Sequence, residues 1–442
     1  MTMRTPRGFI LRLVAGGSAV VALTLLAIGL ERHASRPAKA PSELEISSVL
    51  GSSTGGAAAR ESDVTGSDPH YLRAELPRAF EFPADHAAHE GFRTEWWYVT
   101  GNLFARDGRA FGVQLTFFRN ALVPPGAMGA AEAAGGSMWR SSHVWMAHFA
   151  VGDERRGRFR FAERFAREGA DAALSGASGG SGGLAGLPAV PALPTLRGLA
   201  GVAPAPFRVA LEDWSLSSVG QDFAPLRLSA RDAGFAVDLT LDSMKPPVLQ
   251  GDRGLSQKGP EPGNASYYYS LTRLATRGTL MLDGEAISVS GDSWLDREWS
   301  TSALGSDLSG WDWFALQLDD GREIMFYRLR RKDGNENPWS RGSIVAADGS
   351  SHALLGTDVA LRVVSTWTNP AGAVYPARWH LSLPAEELEL EIRPRLPDQE
   401  LAVTVRYWEG AVAVTGSSRG TAIGGHGFVE MTGYVAPSPA TR

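Results

Sequence analysis

The strongest constraint on the fold is a succession of short alternating segments, several separated by Asp-Gly pairs, with no helical segments interleaved among them. Extended runs are read at 96–103, 109–118, 144–151, 158–165, 236–241, 279–282 and 287–290, and again at 314–318, 323–329, 379–383, 388–392, 402–407 and 412–416. Asp107-Gly108, Asp283-Gly284 and Asp320-Gly321 stand between such runs, and Asp-Gly tolerates the positive φ angles that a two-residue hairpin turn demands. Without strand–helix alternation, doubly wound sheets and α/β barrels are excluded, and antiparallel meanders closed into barrels remain. The 51 glycines, 26 prolines and 13 tryptophans agree with a turn-rich β-protein, and 442 residues suffice for two or three domains.

The N-terminus reads as an export signal. Arg4, Arg7 and Arg12 precede an uncharged run of 18 residues from Leu13 to Leu30. Ala38-Lys39-Ala40 offers a cleavage site, so residues 1–40 are either a cleaved signal peptide or a retained inner-membrane anchor, with the remainder periplasmic or extracellular. Residues 41–74 are expected to be a flexible linker, and 168–206, rich in Gly, Ala, Leu and Pro, a long inserted loop that could serve as an apolar lid. Removing the six basic residues and one acidic residue of 1–40 from totals of 43 and 48 leaves 37 against 47, which disfavours a nucleic-acid partner.

Several chemistries drop out. With no cysteine there are no disulfides, thiol nucleophiles or Cys-ligated metals. None of the four lysines ends a phosphate-binding glycine loop. GxSxG occurs at 176–180, 179–183 and 416–420, but never between a buried strand and a helix, so no serine nucleophile is visible. His143 and His148 are five apart, on opposite faces of a strand, and no metal site is expected.

Alternation assigns faces to the remaining candidates. Glu95, Trp97 and Val99 share one face, while Trp96 and Tyr98 share the other; either core packing or a ligand cavity accounts for two aromatic faces. Trp294, Asp296 and Glu298 face one way, and Leu295, Arg297 and Trp299 the other. Two carboxylates beside an indole in an apolar cavity would push one pKa up, although a turn salt-bridged by Arg297 also fits. Asp312 shares a face with Phe314, Leu316 and Leu318, so it must be paired, protonated or at a wet strand end. Tyr407 and Glu409 share a face in Arg406-Tyr407-Trp408-Glu409-Gly410, and Glu430 lies beside Phe428. A weak internal duplication relates 96–119 to 311–328, each an aromatic strand, an Asp-Gly-Arg turn and an aromatic-aromatic-Arg ending.

Glu95-Trp96-Trp97-Tyr98-Val99-Thr100-Gly101, Ser266-Tyr267-Tyr268-Tyr269-Ser270, the 294–299 and 310–314 segments, Tyr407-Trp408-Glu409-Gly410 and 427–434 resemble, in order, the lipocalin-like AttH proteins, also called predicted secreted hydrolases. These are relatives of carotenoid 1,2-hydratase, or hydroxyneurosporene synthase. The resemblance covers roughly 75–436 and implies two packed lipocalin-like antiparallel β-barrels in tandem, 75–300 and 301–442, with a buried apolar cavity for an isoprenoid or lipid-like ligand. It also implies a neighbouring membrane transporter permease as a possible partner. The hydratase branch has a His-rich version of Leu295-Asp296-Arg297-Glu298, of which this chain matches only Asp296.

Hydrating an alkene needs a neutral carboxylic acid as donor and a base for water, and no cofactor. Asp296 and Asp312 are the expected donors, with Glu298 or Glu409 as base. Glu95, Trp97, Tyr98, His143, Trp294, Arg297, Trp313, Tyr407 and Trp408 are the expected ligand-binding residues. A non-catalytic lipid carrier or adaptor is the competing expectation, and a secreted hydrolase the third.

Overall fold

The computed structural model describes residues 71–125, 142–167, 199–302 and 304–435. Among them there is no α-helix, and two antiparallel sheets contain every strand. The signal segment, most of the linker, the GxSxG matches at 176–183 and residues 168–198 of the proposed insert lie outside the described residues.

The first sheet has thirteen strands: β1 (Thr94–Ala105), β2 (Ala110–Ala121), β3 (His143–Asp153), β4 (Arg158–Arg167), β5 (Ala200–Pro204), β6 (Phe207–Leu211), β7 (Trp214–Ser218), β8 (Leu226–Asp232), β9 (Phe235–Ser243), β10 (Val248–Leu249), β11 (Leu255–Gln257), β12 (Ala265–Leu282) and β13 (Glu285–Ser300). The second has ten: β14 (Leu308–Leu318), β15 (Glu323–Arg331), β16 (Arg341–Val345), β17 (Ser351–Leu355), β18 (Ala360–Thr368), β19 (Val374–Leu383), β20 (Leu388–Pro394), β21 (Glu400–Leu401), β22 (Tyr407–Ser418) and β23 (Thr421–Thr432). The chain changes sheet between Ser300 and Leu308.

The first sheet curls into a barrel in the order β4-β3-β2-β1-β13-β12-β9-β8-β7-β6-β5. Arg164 on β4 helps draw the ends together, pairing with Glu212 at 3.1 Å, donating to the Arg231 carbonyl and lying 4.2 Å over the Trp214 ring. Inward residues such as Trp97, Leu115, Phe117, Trp145, Phe149 and Leu295 fill the barrel. The second sheet is a half-barrel cored by Phe314, Leu316, Trp379, Leu390 and Val414. The lipocalin-like expectation therefore holds, as one barrel and one half-barrel.

Two local expectations fail. Residues 200–204 of the proposed loop form strand β5, because Val202 and its neighbours pair with β6. Residues 402–406 are not a strand: the main chain and hydroxyl of Thr404 donate to Glu163 on β4, and this tie to the other sheet replaces a ladder.

The sheets meet through their outward faces, and side-chain size decides how closely. At one end small residues let them close: a Cβ on Gly112 would sit 2.6 Å from the Ala411 methyl carbon. Here Asn102 donates to the Gly427 carbonyl at 2.9 Å, and Gln317 to the carbonyls of Thr272 and Ser293. At the other end Trp96, Tyr98 and Phe118 face Trp311, Trp313 and Tyr407 across a gap. That gap is the candidate site.

Candidate functional site

The cavity between the sheets has a volume of about 190 Å³ and mostly apolar walls. It lies outside both hydrophobic cores, on the faces that alternation leaves over once each core is filled.

Register brings the acids together. Tyr98 lies opposite Asp296 and Trp96 opposite Glu298, while Tyr268 and Ser270 flank the same pair from β12. Asp296 accepts three hydrogen bonds: from the Tyr268 hydroxyl at 2.6 Å, the Trp294 indole at 2.7 Å and the Ser270 hydroxyl at 2.5 Å. Burial nevertheless pushes its pKa up to about 7 against those donors, with Glu298 adding to the rise. Glu298 is held by the Ser266 hydroxyl and by Lys258 at 3.4 Å. Burial works against the Lys258 charge, but Glu298 and Tyr327 raise its pKa, and its ammonium lies 4.0 Å over the Tyr327 ring.

From the second sheet, Glu409 lies directly opposite Glu430 on adjacent strands. Like charges so placed repel. Burial first and Glu430 second drive the Glu409 pKa well above the carboxylate range, although Tyr98 and Tyr407 ease its charge. Neither Glu409 oxygen nor the Tyr98 hydroxyl has a protein partner in hydrogen-bonding geometry. Glu430 accepts from the Trp311 indole at 2.8 Å, and burial takes its pKa to about 7. The Tyr407 hydroxyl shares a 2.6 Å hydrogen bond with His148 Nδ1, while His148 Nε2 donates to Glu163 at 2.9 Å.

The structure thus gathers Asp296, Glu298, Glu409, Tyr98, Trp313 and Tyr407 around one space, with Trp294 behind Asp296. Glu95 borders the same space, and the remaining candidates lie elsewhere. Asp312 points into the half-barrel, where Arg328 (2.6 Å), Arg330 (3.0 Å) and the Tyr434 hydroxyl (2.9 Å) hold it. Its apolar stripe is the half-barrel core, so it is neither in the cavity nor an uncompensated acid.

Glu95 and Arg297 form a buried ion pair on the barrel side, joined by Arg119 and His89. Burial opposes the Glu95 charge, but Arg297 and Arg119 outweigh it and hold its pKa far below the usual range. The Trp97 indole donates to the His86 carbonyl inside the barrel, and the Trp408 indole to the Pro397 carbonyl on the half-barrel side. His143 starts β3 beside Ser142 and does not line the cavity. The 416–420 match is the β22–β23 hairpin turn.

Sequence reasoning left Tyr268, His148, Lys258, Trp311 and Glu430 out of the site. For Glu430 a signal existed. Arg419 and Gly420 both have positive φ, and the hairpin they turn sets Glu409 opposite Glu430. Among the described residues, no group of three or more His, Cys, Asp or Glu could hold a metal ion.

Fold and site together define a lipocalin-like β-protein with an acid-lined apolar cavity between two curled sheets. Residues 73–434 match the AttH-like family model, and the chain belongs to that family. An AttH from Nitrosomonas europaea is 32% identical, with 82% of this chain and 100% of that one covered and a TM-score of 0.67. Kievitone hydratase from Nectria haematococca shares the fold at 16% identity, over 83% of this chain and 98% of that one, with a TM-score of 0.55. No curated protein sequence matches the chain.

Proposed function

We propose that this protein is a cofactor-independent hydro-lyase that adds water to, or removes it from, a hydrophobic unsaturated ligand held between the sheets. One observation carries the reading: three carboxyl groups with raised pKa values, Asp296, Glu409 and Glu430, converge on a single apolar cavity. Groups poised in this way suit general acid–base work near neutral pH.

The hydrogen bonding divides the roles. Glu409, with only the Tyr98 and Tyr407 phenols nearby and no partner in hydrogen-bonding geometry, is the donor; Asp296, fed by three donors, is the base. Glu409 protonates one alkene carbon, the neighbouring carbon takes up water, and Asp296 removes the proton that water sheds. One C–H and one C–O bond form, the π bond is lost, and returning the proton from Asp296 to Glu409 resets the site. The cation formed midway faces Trp96 and Trp313, whose rings favour positive charge. A fold shared with kievitone hydratase is consistent with this reading.

The test is incubation of the full-length protein with uncharged isoprenoid alkenes in oxygen-18 water, followed by mass spectrometry. One labelled hydroxyl per product is expected, with Glu409→Gln and Asp296→Asn each slowing formation by about 10²–10⁴-fold. A lipid recovered unchanged and unlabelled from the native protein would support the carrier reading instead.

A further inference from the structure

We infer that the cavity selects its ligand by charge: it accommodates positive charge on an otherwise hydrophobic molecule and excludes anions such as fatty-acid carboxylates and prenyl phosphates. The inference rests on the ligand site proposed above, but not on hydration taking place there.

The geometry is one-sided. Five acidic residues line the cavity against a single lysine; Glu95 gives its carboxylate to Arg119 and Arg297, which leaves Asp296 and Glu298 from β13, Glu409 from β22 and Glu430 from β23. Lys258 is already committed, to Glu298, to the Ser256 hydroxyl at 3.1 Å and to the face of Tyr327. An incoming anion would find no uncommitted ammonium or guanidinium among the lining residues, and would have to displace Glu298. A cation finds the reverse. Both Glu409 oxygens are buried with no partner in hydrogen-bonding geometry and no cation beside them, and the aromatic faces of Trp96, Trp313 and Tyr98 surround the same space. Indole faces beside an available carboxylate attract organic cations, more strongly where water is excluded.

Binding should also be linked to protons, because a cation placed beside Glu409 and Glu430 favours their ionised forms. From the first sheet, Asp296, Glu298, His148, Tyr98 and Tyr268 face these two acids. From the second sheet Tyr327 and Tyr407 do so, and Lys258 faces them from the segment after β11. Glu95 borders the cavity but turns its carboxylate to Arg119 and Arg297. Burial and the nearby carboxylates hold Tyr98, Tyr268 and Tyr407 well above the ordinary phenol value, so these phenols stay neutral.

The experiment compares three unreactive aryl probes by calorimetry on the full-length protein: phenyltrimethylammonium, its neutral isostere tert-butylbenzene, and benzoate as the anion. At about pH 8 the cation should bind about tenfold or more tighter than the neutral isostere, with benzoate weakest. The cation should also release protons, read from buffers of differing ionisation enthalpy, and its advantage should shrink at about pH 6. Glu409→Gln and Glu430→Gln, alone and combined, should remove the cation's advantage while leaving tert-butylbenzene binding intact, which also shows that the variants fold. Equal affinities, a preference for benzoate, or a cation preference that survives the double variant would overturn the inference and leave the ligand site standing. If none of the three binds, the ligand-site reading falls and the inference with it.

Discussion

At the scale of the residue, two buried acids show how partners decide what a carboxylate is for. Asp312 has two arginines and a phenol, so its charge is structural. Asp312→Ala should lower unfolding free energy by about 2–3 kcal/mol in denaturant titration, below the full cost of breaking a buried pair because both arginines keep some solvent, while leaving ligand affinity unchanged. Glu409 has no arginine, only the Tyr98 and Tyr407 phenols nearby, and neither of its oxygens has a partner in hydrogen-bonding geometry. A carboxyl whose pKa is raised by folding keeps its proton in the native state and loses it on unfolding, so its contribution is full below the unfolded value and is lost as pH rises. Asp296, Glu430 and Glu409 therefore reduce stability from about pH 4 upward, the first two until about 7. The depressed Glu95 and Asp85, the latter at about 2, contribute above the unfolded carboxylate value and lose that contribution as pH falls. Denaturation between about pH 5 and pH 8 should show wild-type stability falling, and Glu409→Gln should flatten the slope by up to one proton's worth, about 1.4 kcal/mol per pH unit.

At the scale of the element, β13 carries two chemistries on its two faces. Arg297 points to the barrel side, over the Trp97 ring at 3.8 Å and against Glu95, while its neighbours Asp296 and Glu298 line the cavity. Arg297→Leu should cost about 3–5 kcal/mol in thermal or chemical unfolding, because Glu95 stays buried with one arginine fewer. Restored stability in the double variant Arg297→Leu/Glu95→Leu would identify the stranded charge as the cause. This strand also shows how far sequence reaches. Alternation placed Trp294, Asp296 and Glu298 on a common face, and the Asp-Gly turns marked hairpins, because both signals are local. Alternation could not say which face of β1 met a core: Trp97 went into the barrel and Tyr98 to the cavity. The strands β5 to β8 escaped for lack of strong turn pairs, and the full length of β12 because a bulge between Leu271 and Leu274 interrupts its register.

At the scale of the molecule, the cavity exists only where residues hundreds of positions apart meet, so no local pattern announces it. The closure is polar as well as apolar. Lys245, just after β9, donates to the carbonyls of Gly321 and Ala346 and pairs at 2.6 Å with Glu323, which also takes Arg273 of β12. With such ties, barrel and half-barrel should unfold together, as a single calorimetric transition whose van 't Hoff and measured enthalpies agree. Lys245→Met should lower that one transition rather than split it, because the buried Glu323 spans both halves. Two resolved transitions would contradict this.

Because the cavity is walled by leftover outer faces, neighbouring positions on one strand answer to different demands. Replacing Trp96 or Phe118 redraws the chamber without disturbing Trp97 or Phe117, which stay locked in the barrel. Such a scaffold can change what it recognises by piecemeal substitution while its foundations remain untouched, an arrangement suited to diversification across a lineage.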